Sequence, residues 1–138
     1  VLLGPQGGVL PVPSSLASIT AIPGPGGIAI AGSDGVADQP LAAYFNGRSW
    51  ALSAPVPFGS YGRFEAVAAI SPTQVWAVGL GTDAIPLRLS QRWTGRAWVP
   101  VPAGGPTVLA GVAYDPAGYW WAVGHNNSIS VMQRIAAP

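Results

Sequence analysis

The chain has 138 residues, 49% of them apolar, with six Arg, no Lys, five acids and a net charge of +1. That is about one domain's worth of chain, with enough apolar surface for a modest core. So sparse a charge excludes the clustered basic face that nucleic-acid binding needs and the basic amphipathic segment of a membrane-surface helix.

There is no Cys, so neither disulfides nor thiolate metal sites staple the fold. The 19 Gly and 15 Pro fall between apolar runs, as turn punctuation does. The first charged residue is Asp34, yet Pro5, Pro11, Pro13, Pro23 and Pro25 interrupt every window long enough to span a membrane. With no initiating Met and no basic leader, the chain reads as a processed mature protein. Low charge also leaves little repulsion between copies, which predicts that much of the surface is covered in an assembly.

In chain order, three repeats emerge. The first opens with Leu16–Ile22, turns at Pro23–Gly27 and continues as a core strand, Ile28-Ala29-Ile30-Ala31-Gly32. Pro40–Phe45 is its third strand, and Ser49–Leu52 its fourth. Between them, Asn46-Gly47 is a hairpin signal, expected to place both residues at positive φ. The second repeat opens with Phe64–Ile70, and its core strand is Val75-Trp76-Ala77-Val78-Gly79. Pro86–Trp93 and Ala97–Pro102 complete it around the turn Thr94-Gly95-Arg96. The third opens with Leu109–Tyr114, turns at Asp115–Gly118 and gives the core strand Trp120-Trp121-Ala122-Val123-Gly124. Ser128–Ile135 follows, with Gln133-Arg134-Ile135 answering Gln91-Arg92-Trp93. A fourth strand for this repeat is found at the other end, where Val9–Pro13 matches Trp98–Pro102.

A period of about 45 residues holding four short strands is the pattern of a β-propeller blade. The expected fold is therefore all-β. Three four-stranded blades (14–62, 63–107 and 108–138) are expected, the last completed by the closing strand in 1–13. Ala and Gly in the opening strands suit a crowded innermost position, and Trp on later strands fills the space where blades diverge. No segment keeps a helical apolar period without Gly or Pro, and an immunoglobulin-like sandwich would not repeat itself. Because a ring needs about four to eight blades, two chains are expected to pair as a homodimer of six.

These motifs, Val-Trp-Ala-Val-Gly at 75–79 and Trp-x-Gly-x-x-Trp at 93–98 above all, resemble the kelch/galactose-oxidase-like propeller repeats of large bacterial secreted proteins. The resemblance covers nearly the whole chain and implies a propeller fold and an extracellular setting. The Trp93–Trp98 hairpin is also similar to that of small fucose-binding lectins. That likeness implies short chains closing into a six-bladed ring, with sugar held between blades by an Arg, a Glu and a Trp. The one Glu here, Glu65, falls on a predicted inner strand.

Trp faces stack on sugar rings, so each Trp is a candidate ligand contact. Trp76 and Trp121, at equivalent places in the core strand, are expected in the core, and Trp50 and Trp98 in the core or between blades. Trp93 stands where other repeats have Phe45 and Ile135. Trp120, doubled with Tyr119, is expected to be exposed and is the first choice for a ligand. Asp34, Asp38, Asp83, His125, Asn126 and Asn127 follow the core strands and are expected to open on one rim, where binding residues concentrate. The candidate ligand-binding set is therefore Trp120, Tyr119, Trp93, Arg92, Asp83, His125 and Asn126. One His and five scattered acids give no metal spacing and no acid/base pair, so no catalytic residue, metal or cofactor is expected. The expected function is a secreted, non-catalytic, lectin-like module binding a glycan or protein. A structural subunit of a surface assembly is the alternative, and a propeller enzyme a distant third.

Overall fold

The structure is a computed structural model that describes residues 14–24, 27–36, 38–57, 59–83, 85–101, 108–125 and 129–135. Eleven strands are described, all in antiparallel sheets. The first sheet holds β1 (Ser14–Ala21), β2 (Ile28–Asp34), β3 (Gln39–Phe45) and β4 (Trp50–Ser53), in that spatial order. The second holds β5 (Tyr61–Ser71), β6 (Gln74–Asp83), β7 (Ile85–Trp93) and β8 (Trp98–Pro100). The third holds β9 (Val108–Asp115), β10 (Tyr119–His125) and β11 (Ser130–Ile135). The closing strand expected at Val9–Pro13 lies outside the described residues.

Each sheet repeats one distortion. The first strand carries an extra residue, Ala17, Glu65 or Ala110, between Leu16 and Ser18, Phe64 and Ala66, and Leu109 and Gly111. Such a bulge bends the strand and increases its twist. Opposite it stand Gly32, Gly79 and Gly124. A Cβ at any of them would fall on a backbone carbonyl oxygen of the bulged strand, that of Ser15, Arg63 or Val108. The glycine ending each core strand is thus a requirement of close backbone approach, not simply a turn signal.

The hairpin at Asn46-Gly47 differs from the expected two-residue turn. The loop spans four residues and is closed by the Phe45–Trp50 pair, with the Asn46 N–H donating to the Ser49 carbonyl at 3.2 Å. Gly47 has a φ of 97°, whereas Asn46 is not at positive φ. The Asn46 side chain instead accepts from the Arg48 and Ser49 N–H groups at 2.9 and 3.0 Å, an Asx turn that wins over the two-residue alternative. Thr94 does the same for Arg96 and Ala97 in the second sheet.

Strand alternation then decides how the sheets stack. On β2, Ala29 and Ala31 face the second sheet, where Phe64 and Trp98 fill the space beside them. On β6, Val75 and Ala77 face the first sheet, and Trp76 and Val78 face the third. On β10, Trp120 and Ala122 face back toward the second sheet. There Trp76 stacks on Trp120 with ring centroids 5.2 Å apart, and Tyr114 meets Trp120 edge-on at 5.1 Å. Each buried ring contributes about 3 kcal/mol by burial, and the aromatic geometry adds roughly 1 kcal/mol. The strand β5 packs against β1 and β2 on one side and β9 on the other.

Gly79→Ala is expected to destabilise the fold by about 3 kcal/mol, because the obstacle is backbone and cannot rotate away. Urea unfolding followed by Trp fluorescence checks this; a change below about 1 kcal/mol would contradict the bulge geometry.

Candidate functional site

Among the described residues expected to form a ligand site, Trp120, Tyr119 and His125 stand apart. Trp120, expected to be exposed, is 1% exposed. It stands in register with Val75, and that position points at the neighbouring sheet; a doubled Trp sends one ring to each face, and Trp120 takes the covered one. Trp121, expected in the core like Trp76, is instead half-buried on the opposite face. Trp93 is half-buried, packed into the contact between the first two sheets and 5.7 Å from Trp98. Arg92 is half-buried, lying across from Trp76 on one side and Val99 on the other.

Tyr119 is exposed, with the Arg134 guanidinium 4.5 Å above its ring. His125 is exposed at the other end of β10, about 20 Å from Tyr119 at the usual rise per residue. Asp83 ends β6, as His125 ends β10 and Asp34 ends β2. Asn126 lies outside the described residues. At this rim the acids shape their own loop: Asp34 Oδ1 accepts from the Val36 N–H at 2.7 Å. Asp38, at a φ of 54°, accepts from the Gly62 N–H through its carbonyl at 2.9 Å. Among the described residues no group of three His, Asp or Glu could hold a metal ion.

A polar cleft forms elsewhere, between the first and second sheets. Its volume is about 230 Å³, and it is lined by Ser15, Ala17, Ser33, Arg63, Phe64 and Glu65. Ser15 and Ser33 face each other across β1 and β2. The bulges place Ala17 and Glu65 outside the regular alternation, which brings both to the cleft wall. Arg63 and Glu65 form an ion pair. Burial lowers the Arg63 pKa, but the Glu65 carboxylate and the Tyr61 phenol oxygen outweigh it and hold that pKa above the ordinary value. The cleft is not legible in the residue types, because a bulge is a property of strand pairing.

Gln91 is a second structural residue that composition does not single out. It is 1% exposed, yet both ends of its amide are satisfied. Its Nε2 donates to the Val56 carbonyl at 2.7 Å, and its Oε1 accepts from the Val56 N–H at 2.9 Å. The side chain thus stands in for a strand partner and clips the segment between the first two sheets against β7. The Trp98 indole adds a second tie, donating to Ser53 Oγ at 2.9 Å. A repeated Gln inside an apolar strand, at 91 and 133, was the available signal.

No protein-family model, curated protein or solved structure matches this chain.

Gln91→Leu keeps the volume and removes both bonds to Val56. It is expected to destabilise the fold by about 2 kcal/mol. Faster amide exchange at Val56 checks it, and unchanged protection there would contradict the clip.

Proposed function

We propose that the three sheets are successive blades of a β-propeller and that the chain is a secreted, non-catalytic module binding carbohydrate. Support for the blade reading comes from the shared bulge and glycine in every sheet, and from face-to-face packing with β5 between β1 and β9. The secreted setting follows from the resemblance of the repeats.

The observation that carries the binding reading is the cleft between the first two sheets. Sugars present adjacent hydroxyls that both donate and accept. The cleft offers a forked cationic donor in Arg63, an anionic acceptor in Glu65, and two hydroxyls, Ser15 and Ser33, that do either. A volume of about 230 Å³ accommodates one sugar unit. Glu65 is the one carboxylate lining it among the described residues. A structural subunit is the second reading, favoured by the exposed Val123 and Met132 on the third sheet. Large ordered particles in electron micrographs would select it.

A glycan array followed by titration of the best ligand tests the binding reading. Glu65→Gln and Arg63→Ala are each expected to weaken binding about tenfold or more, the worth of a charged hydrogen bond. Stability should change by less than about 1 kcal/mol, because the pair is partly exposed. A flat array overturns the reading.

A further inference from the structure

Three polar side chains of the second sheet share its face toward the third. Trp76 and Val78 of β6 pack on that face, and their direct partners across β7 are Arg92 and Ser90. Directly opposed side chains leave their strands about 5 Å apart, and diagonal ones roughly 7 Å apart. Trp76, Arg92 and Ser90 are thus the corners of one small triangle. Trp76 is 1% exposed and Ser90 3%, and neither the Trp76 indole N–H nor the Ser90 hydroxyl has a hydrogen-bond partner. Arg92 is half-buried at the margin of the contact, and no carboxylate pairs with its guanidinium among the described residues.

The surroundings supply no counter-charge. Val101 packs against the same cluster and donates its N–H to the Ser90 carbonyl at 2.9 Å, leaving the hydroxyl unused. The third sheet faces the triangle with Tyr114, Trp120, Val112 and Ala122, and Gln133 stands in register with Ala122. None of these side chains is acidic. The character of the triangle follows from counting donors: guanidinium and indole only donate, and a hydroxyl donates or accepts. A water placed among them would accept from two, but its own hydrogens would have Ser90 Oγ alone to meet. An anion accepts from all three and offsets the Arg92 charge, which is costly to bury unpaired. Because the two inner donors are closed off from solvent, the ion must be small, a monatomic halide rather than an oxyanion such as sulfate.

We propose that Trp76, Ser90 and Arg92 hold a chloride ion between the second and third sheets. The indole N–H and the hydroxyl are its neutral donors from within, and the guanidinium closes the site with a charge-assisted hydrogen bond. The donors come from two strands, β6 and β7, whose alignment exists only in the folded sheet. The ion therefore stabilises the folded chain, and more so as its concentration rises. The site rests on strand register and burial, and on neither the propeller nor the carbohydrate reading.

Titrating the chain with sodium chloride while following the indole N–H resonances by NMR tests the site, and Trp76→Phe identifies the Trp76 resonance by its loss. That resonance is expected to shift to saturation in chloride and to stay in place in sodium gluconate of equal ionic strength. The melting temperature is expected to rise in chloride alone. Arg92→Gln is expected to weaken chloride binding about tenfold or more, the worth of a charged hydrogen bond. Ser90→Ala, the second variant should Arg92→Gln fail to fold, is expected to lower the melting temperature in chloride but not in gluconate. A Trp76 resonance that stays in place in chloride overturns the proposal, and would leave a buried water as the occupant. So does an equal response to both salts, which is screening and not binding. A Ser90→Ala variant that melts higher in both salts also overturns it, because that is the effect of removing a hydroxyl with no partner at all.

Discussion

The bulge opposite a glycine is the constraint on which the rest of the structure depends. In a regular ladder every residue keeps its face from one end of the strand to the other. Inserting Ala17, Glu65 or Ala110 shifts that alternation at the same level in each sheet, and β5 shifts again between Ala69 and Ser71. Beyond the bulge, β5 sends Val67 into one inter-sheet contact and Ala66 into the other. The approach needed to hold the bulge is so close that the opposing residue has no room for a Cβ. Glycine there fixes the register of β2, β6 and β10, and that register fixes which aromatic ring faces which sheet.

Seen this way, the repeat period and strand order were legible because they are written in residue types that change at turns. Which face a side chain takes was less so. Trp76 and Trp121 look alike in sequence and occupy the same register, yet one is buried and the other half-buried. The difference lies in the neighbour: the third sheet covers Trp76, whereas Trp121 points away from the second sheet. Trp120 shows the converse. Its position holds Val75 and Ile28 in the other sheets, and only the packing partner turned that slot into a Trp–Trp stack. Burial was thus a property of the pair of sheets, not of the motif.

Polar groups inside the stack obey a second rule, that each buried donor and acceptor needs a partner. Gln91 meets it fully by bonding both peptide groups of Val56. Its register partners are Gln133 in the third sheet and Ala43 in the first. The Trp76 indole N–H and the Ser90 hydroxyl break the rule, being buried without a hydrogen-bond partner. Both lie on the face toward the third sheet, so that contact depends on shape and ring stacking more than on polar pairing.

Sheet stacking and the polar cleft draw on different positions of the same strands for this reason. The stacking faces are made by regular strand positions, where Ala29, Ala31, Ala77 and Ala122 share the packed contacts with Trp76, Trp98 and Trp120. The cleft takes Ala17 and Glu65 from bulge positions, which stand outside the regular alternation. Two of the three bulges carry Ala, and the second carries Glu65. A charge is tolerated there because it remains partly exposed and paired with Arg63, whereas a charge one residue away, at Phe64 or Ala66, would sit unpaired inside a packed face. The bulge is thus where this repeat can vary its chemistry without disturbing its stacking, and the second sheet is where it has done so.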